Sequence, residues 1–220
     1  MSTGKSLFDS LKSDTVRISD AATDCCNFSQ TLSKSVEYIN RKREKYYLKA
    51  ALTKTGKKRY YVVKDLSKTD PKDLLQEMPV GFEFYEHPRE AQVVLRKIPT
   101  YHITDEEVEI VDSVMKNHET ISDYIVEKGV DHITIYTGCI DRNIFSDMPD
   151  LYEKFYMMQH YEDLMRFEKE KKTYLVQRFC CLSRAYGWIT IDRNEDLRYL
   201  AEKYCYHIDK DSLFNFWRIE

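Results

Sequence analysis

The sequence predicts an α+β fold: antiparallel hairpins in a meander, separate packing helices, and an N-terminal helix preceded by a loose arm. Three observations predict it. Short runs rich in Tyr, Val and Ile come in pairs around turns, as in "YYLKAALTKTGKKRYYVV" and "DYIVEKGVDHITIYT". Apolar stripes at three-and-four spacing stand apart from those runs, as in "DEEVEIVDSVM" and "LRYLAEKYC". The strand runs are joined mostly by short turns, too short for the crossovers of a parallel sheet.

Each element has a local reason. Residues 1–18 are polar and rich in Ser and Thr, which reads as a flexible arm. Residues 19–220 then form one domain, with possible subdivision near 99–104 or 146–150. Ala22, Cys25, Cys26, Ser29, Leu32, Val36 and Ile39 share one helical face. Ser19 or Asp20 caps that helix, and "RKREK" ends it with cations at the negative end of its dipole. "YYLKAAL" and "RYYVVK" are strands around "TKTGKK", where Gly56 supplies the turn. Tyr46, Leu48, Ala50 and Leu52 alternate onto one face, leaving Tyr47 and Lys49 on the other. "DPKDLLQEM" is a short helix at best, with Pro71 in its first turn. "FEFYEH" and "AQVVLRKI" form a second strand pair turning around Pro88.

"ITDEEV" is the clearest local signal. Thr104 and Glu107 make a capping box, with Ile103 and Val108 at the hydrophobic-staple positions. Val108, Val111 and Met115 continue as one stripe. A hairpin follows, turning near Lys128–Gly129. From Asp147 to Lys171 two readings stand: Leu151, Phe155, Met158 and Tyr161 fit a helix, and "LMRF" fits the start of a strand. "TYLVQRFCC" and "YGWITI" are strands, and Leu197, Leu200, Ala201 and Tyr204 form a last helical stripe with Asn194 or Asp192 as cap.

The chain has 220 residues, 17 of them Tyr, and a net charge of −3, so bulk charge does not make it a polyanion binder. The charge is nevertheless segregated. Ten Lys or Arg crowd residues 40–64 beside one acid, Glu44, whereas residues 105–131 hold nine acids against Lys116 and Lys128. Such blocks steer a partner, or meet each other within the molecule. The N-terminal stretch has no apolar core of a secretory signal, Ser2 excludes myristoylation, and no apolar run approaches a membrane span. The expectation is a cytoplasmic protein with no membrane attachment, whose six cysteines are reduced thiols.

The block "PVGFEFYEHPREAQVVLRKI", with "YYVVK" before it and "ITDEEV" after it, has a glycine–aromatic–glutamate, tyrosine–glutamate and leucine–arginine–lysine cadence. "LVQRFCC", the later "WI" and "LAEKYC" continue it. In these stretches the chain resembles an uncharacterised family of bacterial cytosolic proteins, over roughly residues 45–217. That resemblance implies no activity and transfers no site residues.

Chemistry-bearing motifs are few. Zinc sites use close ligand pairs, but the cysteines here sit side by side, as Cys25–Cys26 and Cys180–Cys181, and adjacent strand residues face opposite ways. Cys205 and His207 share a face of an extended segment, without a second pair. Cys139 in "IYTGCIDRN" is the best candidate nucleophile, in a turn beside Asp141 and Arg142. A phosphatase would need Arg six positions on, where Phe145 stands. Glu106, Glu107, Glu109 and Asp112 are explained by capping and a solvated helix face. No Gly-rich phosphate loop or nucleophile elbow occurs, so no cofactor and no metal is expected. The basic stretch offers Arg41, Lys42, Arg43, Lys45, Lys54, Lys57, Lys58 and Arg59 for phosphates, and Tyr47 and Tyr61 for stacking. The same residues also read as a helix end and a hairpin tip kept in water. The expectation is an interaction or regulatory protein with a protein partner. A nucleic-acid-binding module centred on 41–64 is the alternative, and a hydrolase using Cys139 or scattered acids a weaker one.

Overall fold

The computed structural model describes residues 35–140, 145, 147–182 and 185–219. The expected arm and most of the first helix, with Cys25 and Cys26, lie outside them. The fold is α+β, with ten strands in antiparallel sheets and three α-helices among the described residues.

The first unit is a three-stranded sheet of β1 (Glu37–Ile39), β2 (Lys45–Leu52) and β3 (Lys58–Val63), in that order. Here the sequence expectation is corrected. Residues 37–39, read as the end of a helix, are a strand that pairs Tyr38 with Tyr46. "NRKRE" is therefore a hairpin turn. It closes because the Glu44 backbone N–H donates to Asn40 Oδ1 at 2.8 Å and Arg43 takes a left-handed φ of 59°. Tyr46 and Leu48 are buried on the inner face. "PKD" makes one short 3-10 turn, Pro71–Asp73, capped by Asp70.

The second unit is the hairpin β4 (Phe82–Glu86) and β5 (Val93–Lys97). Its alternation places it between two layers. Phe84 meets Tyr38 and Phe82 meets Tyr60, on the small sheet. Tyr85, pointing the other way, donates to Glu127 of the large sheet.

That large sheet is a five-stranded meander: β6 (Tyr124–Lys128), β7 (His132–Gly138), β8 (Tyr161–Glu170), β9 (Thr173–Leu182) and β10 (Ala185–Asn194). One face carries the main core, with Ile133, Ile135, Met165, Phe167, Val176 and Ile189 at most 3 % exposed. Helices α1 (Asp105–Lys116) and α3 (Leu197–Cys205) cover it through Val111, Met115, Leu200, Ala201 and Tyr204. The Thr104–Glu107 capping box is formed in both directions. The ambiguous segment resolves into α2 (Pro149–Tyr156), opened by its proline, followed directly by β8. The cap of α3 is Asp196, whose side chain accepts from the Tyr199 N–H; neither Asn194 nor Asp192 fills that position. Cys205 ends α3 in full burial, so it does not share an extended face with His207, whose Nδ1 meets Ser212 instead.

An arginine is buried on the core face. Arg178 of β9 is 2 % exposed and donates from Nε to the Phe216 carbonyl at 2.8 Å. The rings of Phe214 and Trp217 lie within 6 Å of its guanidinium, at 5.8 and 5.5 Å. The segment so held passes alongside β10, where the Ile219 N–H reaches the Thr190 carbonyl. No helix among the described residues is long and apolar enough to cross a membrane.

Candidate functional site

The basic stretch divides into three sets of side chains. At the β1–β2 turn the cations are largely engaged. Arg41 is mostly buried: Nη1 pairs with Glu86 at 3.2 Å and the guanidinium lies 4.8 Å from the Tyr161 ring centre. Arg43 pairs with Glu153 in an exposed contact, and Lys45 with Glu37, whose hydrogen bond holds the lysine above its ordinary pKa. Lys42 stands half-exposed in the turn. Lys54, Lys57 and Lys58 lie at or beside the other turn, exposed, with Lys58 over the Tyr60 ring. Eight residues of β2 separate the turns. At the rise of an extended strand this is about 25 Å, so the two cation groups are not side by side.

The third set lies between them and forms one surface. In the β2–β3 register Tyr47 faces Val63, Lys49 faces Tyr61, and Ala51 faces Arg59. Because Tyr46 and Leu48 point inward, Tyr47, Lys49, Arg59, Tyr61 and Val63 all point outward. Tyr47 and Tyr61 are diagonal neighbours, about 7–8 Å apart in such a ladder. Tyr61 is 43 % exposed. Among the described residues no side-chain hydrogen bond, ion pair or ring contact ties Tyr47, Lys49, Arg59 or Tyr61 to another element, although the Lys49 backbone is bridged to Leu74. Among the described residues of this face the acid is Glu37, and it is paired to Lys45. The surface offers two phenol rings flanked by cations on a rigid, paired backbone.

The acidic stretch does not meet the basic one. Asp105 pairs with Lys128, Asp112 with Lys116, and Glu107 with Lys169, while the partners of Arg41, Arg43, Lys45 and Lys64 are Glu86, Glu153, Glu37 and Glu44.

Cys139 follows β7 at the mouth of a cleft of about 340 Å³. Burial and then the charge of Glu162 push its thiol up, the opposite of what a nucleophile needs. Among the described residues no histidine lines this cleft, and no group of three His, Cys, Asp or Glu is placed to hold a metal ion. Behind it lies a network that sequence reasoning missed. Asp123 accepts from Tyr161 at 2.7 Å, Tyr152 at 3.2 Å and Gln159 at 2.7 Å. Gln159, 1 % exposed, also brackets Ile140, accepting from its N–H and donating to its carbonyl. Burial, then the bond to Asp123, push the Tyr161 hydroxyl far up, so it stays a donor. The members come from a loop, a helix, a linker and a strand, so no spacing in the chain marks them. No protein-family model, curated protein or solved structure matches this chain.

Proposed function

We propose that this is a binding protein whose contact surface is the open face of the small sheet, and that its ligand is single-stranded nucleic acid. The observation that carries the reading is the register, which puts Tyr47, Tyr61, Lys49 and Arg59 on one outward face. Unpaired bases stack on phenol rings of either sequence context, and cations beside the rings follow the phosphates. A duplex, with its bases already stacked, gains only the phosphate contacts. The raised thiol of Cys139 weighs against the hydrolase reading.

A second reading, a protein partner, is favoured by a different place. Phe214 and Trp217 are each 59 % exposed beside buried Arg178, the kind of aromatic residue that protein interfaces enrich.

The test is fluorescence anisotropy with labelled single-stranded and duplex oligonucleotides. Wild type binds the single strand, and binding weakens steeply between about 50 and 200 mM salt as neutralised phosphates release counterions. Lys49→Glu with Arg59→Glu removes binding to all sequences alike. Tyr61→Ala costs about 1–3 kcal/mol on single strands and little on duplex. Lys42→Glu, at the far turn, leaves the curve nearly unchanged. No binding at low salt, or equal curves for wild type and the double reversal, would refute the proposal.

A further inference from the structure

His118 closes the loop between α1 and β6, just past the end of the helix, where its own N–H still bonds the Met115 carbonyl. The backbone N–H groups of Thr120 and Ile121 donate to His118 Nδ1 at 3.3 and 3.1 Å. The Thr120 hydroxyl lies 3.4 Å from the same atom. A ring nitrogen that accepts from backbone N–H groups carries no proton, so in the neutral imidazole the proton sits on Nε2. Nε2 is buried and makes no hydrogen bond among the described residues, although the Cys205 carbonyl at the end of α3 lies near it.

Charging this ring has a specific structural cost. The second proton must go to Nδ1, which then becomes a donor facing two other donors. The Thr120 and Ile121 amides lose their acceptor, and an N–H left without one is costly. The surroundings do not offset this. Burial weighs first against the charge, then Lys210, which pairs with Glu119 at 4.0 Å. The Cys205 carbonyl, Asp209 and Glu119 favour the charge but are outweighed, so the imidazole is held below the ordinary histidine range. On the α3 side Arg198 and Glu202 are exposed and opposite in charge, and burial pushes the Cys205 thiol up to about 12, so it stays neutral. Tyr206 completes this side, with Lys210 over its ring. The neighbours from α1 itself, Ser113, Val114 and Asn117, carry no charge.

We propose that His118 is a proton-operated latch, whose protonation at Nδ1 releases the 118–121 loop from the end of α1. The loop is placed to pass its release on. Ile121 packs into the main core, and Asp123, two residues further, holds Tyr161, Tyr152 and Gln159. Thr120 to Asp123 also form one wall of the cleft beside Cys139, so that cleft changes shape with the loop. The latch is independent of what the small sheet binds. Its sign follows from the neutral ring. A histidine held below its unfolded pKa of about 6.5 contributes stability that is fully present above that pH. The contribution is lost as pH falls from there through the lower folded value. This window opens above the range in which Glu107 titrates.

The experiment combines nitrogen NMR of the imidazoles with amide hydrogen exchange, on the full chain, between about pH 7 and about pH 5. In wild type the His118 ring is the Nε2–H tautomer at the upper end. Protection of the Thr120 and Ile121 amides, corrected for intrinsic exchange, falls at least about threefold across the window. His118→Asn puts an amide oxygen near the position of Nδ1, an acceptor that does not titrate, and keeps that protection level with pH. His118→Ala removes the acceptor and leaves both amides poorly protected throughout. An Nδ1–H tautomer at the upper end, constant protection in wild type, or equal pH dependence in wild type and His118→Asn would each overturn the proposal. The first two readings use the wild-type chain, so they stand however the variants fold.

Discussion

Gly138 has no room for a methyl group. A Cβ built there would lie 2.4 Å from Gln159 Nε2 and 3.0 Å from Asp123 Oδ2. Gln159 cannot swing aside, because it is buried and bonded to Asp123 and to both backbone groups of Ile140. Gly138→Ala is therefore expected to destabilise by about 1–3 kcal/mol, the usual cost of overpacking, read from the denaturant midpoint. A change below about 0.5 kcal/mol would mean the network moves freely. Glu107 gives a second prediction. Burial alone pushes its carboxyl up, but bonds from Lys169 and Tyr174 outweigh that and hold it below the ordinary carboxylate range. A group lowered in the folded state stabilises fully above its unfolded pKa of about 4.3. That contribution disappears as pH falls through the lower folded value. Stability should then drop on acidification from about pH 5 toward pH 3, with a shallower slope in Glu107→Gln. Parallel slopes would remove Glu107 from the acid response.

At the scale of elements, α1 is the part most fully written in local sequence. Its cap, its reciprocal Glu107 and its stripe all lie within twelve residues of one another. Thr104→Ala should cost about 1 kcal/mol, and an unchanged denaturation midpoint would contradict the role of the cap. The β1–β2 turn was the least legible. It contains neither Gly nor Pro: Arg43 takes the left-handed conformation and the Asn40 side chain does the closing. Three residues of β1 are too few for a period-two signal, so the apolar spacing of Val36 and Ile39 pointed to a helix. The α3 cap was misplaced at Asn194 or Asp192 because Asp196 lies within five residues of both and only the geometry selects it. The open face was half legible: alternation put Tyr47 and Lys49 together, but only the strand register brings Tyr61 and Arg59 beside them. The cleft beside Cys139 was not legible, since its walls are gathered from four separate parts of the chain.

At the scale of the molecule, the small sheet is joined to the large one through the hairpin and a polar clasp. Arg41 reaches from the β1–β2 turn to Glu86 and stacks on Tyr161, while Asn40 donates to the Ala91 carbonyl at 2.9 Å. Arg41 Nε and Nη2 are buried without a partner, so Glu86 is its main compensation. Glu86 also accepts from Tyr38. Glu86→Ala should therefore cost about 3–5 kcal/mol, because it strands a buried charge. Arg41→Met, which removes the charge and keeps most of the packing, should cost clearly less. Equal losses in urea denaturation would show that the clasp acts through packing alone.

The segment held by Arg178 has a consequence for how copies of this chain behave toward each other. β10 is the outermost strand of the meander, ten residues long, and an exposed edge of that length is a template on which a second chain can add. The residues around Phe216 and Ile219 run beside it and occupy the Thr190 carbonyl, as a guard rail would. Loosening the rail with Arg178→Ala should then appear first as self-association: sedimentation that depends on concentration, and fibril-type dye binding on gentle warming, before any loss of helix signal. A variant that stays monomeric up to its melting point would show that the edge is protected in some other way.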